Sequence, residues 1–443
     1  MRHRITSFQR LLHCKYGPGP EFYNRVASGT GETAVETIST SCVIAGGGPA
    51  GMMCGYLLAR AGVDVTVLEK HGDFLRDFRG DTVHPSTLQV MHELGLLEEF
   101  LKLPHARIAR AGVEIGDRHF DFADLSHLPT AAKYIAMMPQ WDFLDFLAGK
   151  AKQFPHFHLL MQTQALDLIA QKNEKTGDRI AGVLAKGPDG NLQIRAGLTI
   201  AADGRHSTLR DKSGLKLDEL GAPFDVLWLR LPAAPGDPQD VIGRLQGGQM
   251  FVMIWRGDYY QCALVIAKGG YDEIRAAGLS KFRARLKSVA GFAAARVDGA
   301  ITDFDQVKLL TVSVNRLAQW ARPGLQCIGD AAHAMSPIGG VGINLAIQDA
   351  VAASNLLAPI LLRRAPTVAE LRRVQRRRER PARLTQMMQI ALQNRLVQPV
   401  LEGHVTRVPQ AFRLLDRSPF LRRLPARLLG LGFLPEHVET SAA

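Results

Sequence analysis

The 443-residue chain contains little cysteine and no long uninterrupted hydrophobic run. Its five cysteines are scattered, odd in number and free of any CxxC pair, so they indicate neither a disulfide framework nor a metal site. This cysteine usage predicts a reducing, cytoplasmic location. No stretch reaches the roughly 18–20 apolar residues that a membrane-spanning helix needs, which argues against an integral membrane protein. The cysteines are Cys14, Cys42, Cys54, Cys262 and Cys327.

Acidic residues are scarce in the last part of the chain. Residues 361–443 contain 16 arginines against 6 acidic residues, so they carry most of the net charge of +12. Such a segment could meet nucleic acid, an anionic membrane or an acidic partner, but solvated helix faces explain it more simply. No motif supports nucleic-acid binding. Weak peripheral membrane contact through this basic region is an alternative.

The chain divides into five segments by pattern. The first is basic and broken by Gly-Pro-Gly-Pro, which predicts a disordered or targeting-like extension. The second and fourth have the patterns of a parallel α/β sheet, and the third holds several strand-like pieces that predict an inserted sheet domain. The fifth is predicted to be helical and opens on a Thr367-x-x-Glu370 capping box. The predicted segments are 1–40, 41–214, 215–318, 319–365 and 366–443.

The sequence from Cys42 to Glu69 has the pattern of a βαβ unit. A short buried-strand run leads into a glycine-rich turn and a helix, and a second apolar strand ends at Glu69. The turn fits G-x-G-x-x-G: the first glycine permits a tight turn, the second admits a pyrophosphate, and the third permits close helix–strand packing. A carboxylate after the second strand suits an adenosine ribose and disfavours a 2′-phosphate. The pattern predicts an FAD or NAD site formed by Gly46, Gly48, Pro49, Ala50, Gly51, Glu69 and Lys70.

Two later loops place an acidic residue and a glycine after a buried strand, where open α/β sheets bind ligands. The first is Asp203-Gly204, and the second is Gly329-Asp330, which continues through a cluster of glycines into a helix. Asp330 suits the ribityl hydroxyls of a flavin, and the glycines would let backbone meet a flat ring. The N-terminus of that helix would favour negative charge on the ring. The ring-lining candidates are Pro337, Gly339, Gly340, Gly342 and Asn344.

With these three motifs in this order, residues 40–365 resemble the class A flavoprotein aromatic hydroxylases, the para-hydroxybenzoate hydroxylase-like FAD-dependent monooxygenases. The resemblance extends loosely to residues 423–438. It implies an α/β fold: a Rossmann-like FAD-binding domain of the glutathione reductase type, with an inserted β-sheet substrate domain and C-terminal helices. It also implies cofactor contacts for Arg79 and for Gln140 at a helix start, and a second role for Asp203 in nicotinamide binding.

The resemblance implies FAD as the cofactor. It also implies NADH or NADPH as a transient reductant, since no second G-x-G-x-x-G unit is visible. The expected reaction inserts an oxygen atom from O2 into an aromatic ring through a flavin C4a-hydroperoxide, with the cofactor supplying the chemistry. No side chain is assigned as a catalytic base. His84, His206 and His333 lie in or beside the motifs, and a structural role is at least equally expected for each.

Two alternatives to a monooxygenase stay open at this point. One is an FAD-dependent reductase or dehydrogenase of the same fold, without oxygen insertion. The other is a non-catalytic protein that uses the nucleotide-binding scaffold to bind a partner, because a fold alone does not settle function.

The substrate face is expected in the inserted sheet domain. Its aromatic residues Trp228, Trp255, Tyr259 and Tyr260 could form a wall around an aromatic substrate, although packing in the sheet core explains them more simply. No arginine there stands out as a carboxylate clamp. This favours a larger apolar or polycyclic substrate over a small benzoate. Membrane contact of the basic region would suit a lipid-soluble substrate such as a quinone precursor. The chain is expected to act as a monomer or homodimer.

Overall fold

Two large sheets, two small sheets of two and three strands, and the helices that cover them make up most of the part of the chain that the structure describes. The structure is a computed structural model. It describes residues 26–28, 35–75, 82–116, 118–172, 178–239, 241–403 and 410–443.

The longest strands cross the middle of a sheet, where their side chains are buried on one or both faces. The strands are β1 (Val26–Ser28), β2 (Val35–Ala45), β3 (Val65–Leu68), β4 (Thr82–Val83), β5 (Ala106–Ile108), β6 (Arg110–Ile115), β7 (Arg118–Asp124), β8 (Ile135–Met137), β9 (Phe157–Leu160), β10 (Gln164–Gln171), β11 (Arg179–Gly187), β12 (Gly190–Ala201), β13 (Leu217–Glu219), β14 (Phe224–Pro232), β15 (Val241–Gln246), β16 (Gln249–Trp255), β17 (Tyr259–Ala267), β18 (Lys308–Leu310), β19 (Asn315–Leu317), β20 (Ala321–Arg322) and β21 (Leu325–Cys327).

Several helices begin at a start signal in the sequence. Pro49 and Pro85 each occupy a first helical position, and the capping box between Thr367 and Glu370 forms as predicted. The α-helices are α1 (Pro49–Arg60), α2 (Pro85–Glu93), α3 (Leu97–Phe100), α4 (Gln140–Ala151), α5 (Thr208–Ser213), α6 (Tyr271–Ala276), α7 (Leu279–Ala290), α8 (Val297–Ala300), α9 (Gly342–Leu361), α10 (Val368–Leu392), α11 (Gln398–Leu401), α12 (Gln410–Arg417) and α13 (Arg423–Gly430).

The first sheet brings the three glycine-containing loops together. β2 is parallel to β3 on one side and to β12 on the other, and β12 is also parallel to β21. The carboxyl ends of these four neighbouring strands therefore lie at one edge of the sheet. Helices α1 and α9 cover one face, and a second buried cluster with Leu209 and Trp320 covers the other. Burial on both faces explains why the strands are nearly continuous apolar runs.

The second sheet has the strand order β18-β14-β17-β16-β15-β6-β7. One face packs against α7 around Phe282 and Leu286. The other face carries Phe224 and Val226, which cluster with Ile338 and Val397 from the rest of the chain. This second face therefore lies against the loop that follows β21.

Two predicted boundaries need correction. β2 starts at Val35 and its first half pairs with β12, so residues 35–40 belong to the sheet rather than to the extension predicted for residues 1–40. β6 and β7 come from inside the segment predicted as 41–214 but extend the second sheet. There β6 runs parallel to β15, and Arg244 forms an ion pair of 2.6 Å with Glu114. Such pairing between distant stretches leaves no local signal in the sequence.

The segment Ile338–Leu361 is the one stretch of the described residues that is apolar and long enough to cross a bilayer, with a mean hydropathy of 1.3. However, 78% of this apolar window is buried inside the fold. Ile347, Val351 and Leu357 of α9 belong to the core beneath the first sheet. Its place in the core therefore explains the apolar sequence of this helix.

Candidate functional site

The first glycine loop joins β2 to α1, with Gly48 as the residue before the helix and Pro49 at its first position. Gly46 has a φ of +107°, and a Cβ there would lie 2.3 Å from the carbonyl oxygen of Ala202. A Cβ on Gly51 would lie 1.9 Å from the carbonyl oxygen of Gly46. A Cβ on Gly48 would meet no protein atom within 4 Å. Two glycines are thus required by the fold itself, whereas Gly48 faces open space at a helix N-terminus.

Glu69 lies beside this loop at the end of β3. Its Oε2 accepts a hydrogen bond from the backbone N–H of Gly47 at 3.1 Å, and its Oε1 accepts one from the N–H of His71 at 3.0 Å. The His71 Nδ1 is also 2.6 Å from Oε1. These contacts hold a nearly buried carboxylate against the glycine loop, at the position expected for a ribose ligand. The side chain of Lys70 is exposed.

Asp203 orders the second loop from within. Its Oδ1 accepts from the Ser207 hydroxyl, and its Oδ2 accepts from the N–H of Leu209 at 3.1 Å. Burial raises the pKa of Asp203, although these hydrogen bonds act in the opposite direction. Gly204 has a φ of +87°, so the chain turns at once after the aspartate. The carboxylate therefore supports the loop, and the direct cofactor contact expected of Asp203 stays a prediction.

The third loop packs directly on the first. A Cβ on Gly329 would lie 3.1 Å from the Cβ of Ala50 in α1, and the Gly329 N–H donates to Asp349 Oδ2 at 3.0 Å. Asp330 keeps about a third of its side chain exposed and faces the second loop, where Arg205 Nη2 is 3.8 Å from its Oδ2. The acidic side chain predicted to meet the ribityl group is thus accessible between two loops.

The chain from Pro337 to Gly342 forms a tight turn into α9. Gly339 and Gly340 have φ values of +79° and +64°, which L side chains rarely adopt. The Thr82 hydroxyl donates to the carbonyl of Gly340 at 2.8 Å and fixes the turn. A Cβ on Gly342 would meet nothing within 4 Å, so the N-terminus of α9 also opens on free space.

Of the remaining predicted cofactor residues, Asn344 is buried and its Oδ1 accepts from the Thr87 hydroxyl. Gln140 begins α4 as predicted and is half-buried. It follows β8, which pairs with β4, and β4 contains the Thr82 that holds Gly340. Arg79 lies outside the described residues.

The three loops follow β2, β12 and β21, so they line one continuous edge together with Glu69 after β3. This edge presents backbone with open space at Gly48, Gly204 and Gly342, rather than side chains packed against one another. It also offers the N-termini of two long helices to an anion. A long nucleotide with a pyrophosphate, a ribose and a flat ring fits this arrangement.

A family model described as an FAD binding domain matches residues 39–388. The chain belongs to this family. It is 31% identical over 392 residues to 6-methylpretetramide 4-monooxygenase from Streptomyces rimosus, covering 88% of this chain and 92% of that protein. It is 25% identical over 338 residues to dialkyldecalin synthase from Streptomyces rugosporus, covering 71% of this chain and 64% of that protein.

Among solved structures, the fold is similar to that of OxyS anhydrotetracycline hydroxylase from Streptomyces rimosus. The TM-score is 0.69 at 23% sequence identity, covering 89% of this chain and 76% of that one. Together these findings identify the chain as an FAD-dependent monooxygenase with the fold of the class A aromatic hydroxylases. The predicted family, α/β fold class and FAD cofactor are confirmed.

The monooxygenase has a buried charge network behind the loop from Gly329 to Gly342. We call this loop the flavin loop, after the ring contact that is predicted for it. His333 Nε2 is 2.6 Å from Asp349 Oδ2, and Arg378 Nε donates to Asp349 Oδ1 at 3.0 Å. Arg378 Nη1 reaches Glu436 Oε1 at 3.3 Å. Burial alone would raise the pKa of Asp349, but His333 and Arg378 hold it below its usual range.

Sequence reasoning missed the roles of Asp349, Arg378 and Glu436. Arg378 sits in an arginine run that reads as a solvated helix face, yet it is only 1% exposed, whereas Arg376 and Arg380 are exposed. Helical spacing places Arg378 on the same face as Leu371 and Val374, and this spacing was the available signal that Arg378 is buried. The partners, however, come from other parts of the chain. His333, one of the three histidines considered for proton transfer, is thus a buried hydrogen-bond partner of Asp349.

His84 is a buried link between the flavin loop and the C-terminal helices. Its Nδ1 is 2.7 Å from the carbonyl oxygen of Leu429. Burial lowers the pKa of His84 to about 4, against the raising effect of the Leu429 and Gly340 carbonyls. The imidazole is therefore neutral near pH 7. His206, the third histidine considered, is exposed on the second loop.

The four aromatic candidates for a substrate wall divide between two faces of the second sheet. Trp255 and Tyr260 pack with the cluster that meets α7, which is the face turned away from the flavin loop. Trp228 packs with Ile338 on the opposite face, and the alternation along β14 and β17 puts Tyr259 on the same side as Trp228. Tyr260 is therefore a core residue, with the half-buried Trp255 beside it, and a single wall of four is not formed.

The glycine geometry predicts separable effects of two substitutions. Gly48→Ala should lower FAD affinity about tenfold or more, because its methyl group enters the space where the pyrophosphate is expected. Its effect on stability should stay within about 1 kcal/mol, the cost of alanine at a helix N-cap. Gly51→Ala should instead destabilise the fold, since its Cβ meets the Gly46 carbonyl. FAD titration and thermal unfolding of the apoprotein measure the two effects.

Gly149→Ala in α4 is the matched control for Gly48→Ala, because a Cβ there also meets no atom within 4 Å but lies away from the loops. It should leave FAD affinity unchanged. Equal FAD affinity of the Gly48→Ala variant and the wild type would contradict the placement of the pyrophosphate.

The burial of His84 predicts a loss of stability in acid. Its pKa is about 4 in the folded chain against an ordinary 6.5, so the unfolded chain takes up the proton more readily. The stabilisation is complete above pH 6.5 and is lost as the pH falls towards 4, by up to about 3 kcal/mol.

His84→Asn, which keeps a donor for Leu429, should flatten this dependence of stability on pH. Denaturant unfolding at several pH values measures the slope of the free energy of unfolding against pH, and His206→Asn, at an exposed histidine, is the control. Equal slopes for His84→Asn and the wild type would contradict the prediction.

Proposed function

We propose that this monooxygenase hydroxylates an uncharged aromatic or polycyclic substrate with NADH or NADPH and O2. The observation that carries the proposal is the position of Ile338, which belongs to the flavin loop and packs in one cluster with Val226 and Trp228 of the second sheet. An apolar sheet face next to the flavin ring would hold an aromatic substrate and exclude water. The relative with 31% identity is named for 6-methylpretetramide, which supports the same class of substrate.

Each loop has a proposed role along the cofactor. Gly46, Gly48, Gly51 and Glu69 would hold the ADP half, and Asp330 would bind the ribityl hydroxyls. When bound, FAD would supply redox chemistry, taking a hydride from the nicotinamide and activating O2 for transfer to the ring. The N-terminus of α9 would stabilise negative charge on the reduced ring. The lining of the ring itself would come from Pro337, Gly339, Gly340, Gly342 and Asn344.

The second sheet favours an uncharged substrate over a small carboxylate. Phe224, Val226, Trp228, Ala263 and Val265 form the part of the face that clusters with Ile338. Nearby, Lys268 forms an ion pair with Asp225 at 2.8 Å, so it already has an anionic partner. The Asp225 carboxylate also accepts from the backbone N–H of Val312. Two cations share this face, Arg230 over the ring of Tyr259 and Lys308 opposite Trp228, but both are exposed, whereas Phe224, Val226, Ala263 and Val265 are buried.

The proposal is tested by the visible spectrum and the oxygen balance of the purified protein. We expect a flavin spectrum that bleaches with NADH or NADPH under anaerobic conditions and returns in air. A panel of polycyclic phenols should include one whose hydroxylated product forms in a 1:1 ratio with O2 consumed, and labelled O2 should place its atom in that product. Reduction is expected to be faster with substrate present.

The alternatives give different results in the same measurements. A reductase or dehydrogenase would convert substrate without placing labelled oxygen in the product, and the relative named dialkyldecalin synthase makes this control necessary. A non-catalytic binding protein would show no reduction by either nicotinamide. Both results would contradict the proposed hydroxylation while leaving the FAD-binding fold intact.

We also propose weak binding of anionic membranes through the two last helices, α12 and α13, and the turn between them. Their exposed surface combines bulky apolar side chains with arginines, and Phe420 and Leu424 are 72% and 66% exposed. Their one acidic residue, Asp416, is paired with Arg422 at 3.6 Å. Exposed apolar groups beside unopposed positive charge suit the interface of an anionic bilayer. The other exposed members are Arg413, Leu414, Arg417, Leu421, Arg423 and Arg427.

Flotation with vesicles of phosphatidylglycerol and phosphatidylcholine tests this surface. The wild type should float at low salt. Vesicle binding should fall about severalfold in 0.5 M salt, which screens the charges, and with vesicles of phosphatidylcholine alone, which carry no net charge. The double variant Phe420→Ser, Leu424→Ser should stay in solution, whereas Leu362→Ser, at an exposed leucine elsewhere, should not change flotation. No flotation of the wild type at low salt would rule the surface out.

A further inference from the structure

Helix α10 passes behind the flavin loop and presents two buried glutamines to it. Gln389 Nε2 donates to the carbonyl oxygens of Ser336 at 2.9 Å and Ile338 at 3.0 Å, and its Oε1 accepts from the N–H of Ser336 at 3.2 Å. Gln389 has no exposed surface. A single side chain therefore satisfies three backbone groups on both sides of Pro337.

One turn earlier on the same helix, Gln386 holds the beginning of this loop. Its Nε2 donates to the carbonyls of Asn315 at 2.8 Å and Ala334 at 3.1 Å. Its Oε1 accepts from Arg316 Nη1 at 2.7 Å. Residues three apart on a helix share one face, so the pair fixes the loop at two points along the helix axis.

We propose that Gln389, supported by Gln386, positions the backbone of Ser336–Gly340 for the flavin ring. The inference rests on the FAD site proposed above, and it adds to that site two residues of α10, a helix behind the loop. The loop forms only a short turn here, so its buried carbonyls need partners from elsewhere. With Gln389 in place, the loop is held at a fixed distance from the N-terminus of α9, and both meet the same ring.

The amide is the side chain that this position requires. A leucine would fill the space but leave three buried backbone groups without partners. A carboxylate could still accept from the Ser336 N–H, but it would face the carbonyl oxygens of Ser336 and Ile338 with negative charge. Protonating that carboxyl would restore one donor. Gln389→Glu should therefore be a variant whose defect depends on pH.

Gln389→Leu and its control Gln393→Leu test the proposal. Gln393 lies one turn further along and is also buried, but its Nε2 has no hydrogen-bond partner among the described residues. Gln389→Leu should weaken FAD binding about tenfold or more and shift the visible bands of the bound flavin, because the loop backbone loses three partners. Gln393→Leu should change the FAD dissociation constant less than about threefold, even if it alters stability to a similar degree. Fluorescence titration of the apoprotein with FAD and thermal unfolding without FAD measure the two effects.

The variant Gln389→Glu supplies the readout that a general loss of stability would not give. Its FAD dissociation constant, divided by that of the wild type at the same pH, should fall severalfold between pH 8 and pH 5.5 as the carboxyl takes up a proton. A ratio independent of pH, or equal FAD binding and spectra for Gln389→Leu and wild type, would overturn the positioning role. If the wild type itself took up no FAD, the site assignment would fail instead, so the two failures are distinguishable.

Discussion

The buried carboxylate of Asp349 holds the site together. It lies in the middle of α9 with no exposed surface and accepts from the Gly329 N–H, from His333 and from Arg378. Through Arg378 and Glu436 the same network reaches the C-terminal segment. Removing one partner of a buried ion pair typically costs about 3–5 kcal/mol, because the other charge is left unpaired. The flavin loop, the core helix and the C-terminal helices are therefore bound to one another through one side chain.

Local patterns made the cofactor edge predictable from the sequence. Gly46 and Gly51 belong to one glycine motif, a Cβ on Gly51 would meet the Gly46 carbonyl within the βαβ unit, and Glu69 follows the strand next to it. The later loops at Asp203 and Gly329 were expected because each follows a buried run, and parallel neighbours put their ends at one edge. Everything in this set depends on residues close in the sequence plus one general rule about parallel sheets. The assignment of cofactor contacts to single residues remains a prediction.

The parts that sequence reasoning did not give depend on contacts between distant segments. The pairing of β6 with β15 has no signal in the flanking residues, and helical spacing indicates the burial of Arg378 but not that its partner is Asp349. It is also difficult to predict from the sequence which face of the sheet an aromatic side chain occupies, because the face is set by the register of the strand. A shift of one residue would exchange Tyr259 and Tyr260, and the composition of the strand would be unchanged. The pairing of β14 with β17 decides between them.

The flavin loop also explains why polar side chains are buried so far from the glycine motifs. Most of this loop lies outside helices and sheet ladders, so its buried backbone polar groups need partners from elsewhere. Gln386 and Gln389 of α10, Thr82 of β4 and Asp349 of α9 supply them. The family match ends at residue 388, next to one of these partners. Helix α10 thus supports this loop and is not part of a merely solvated basic tail.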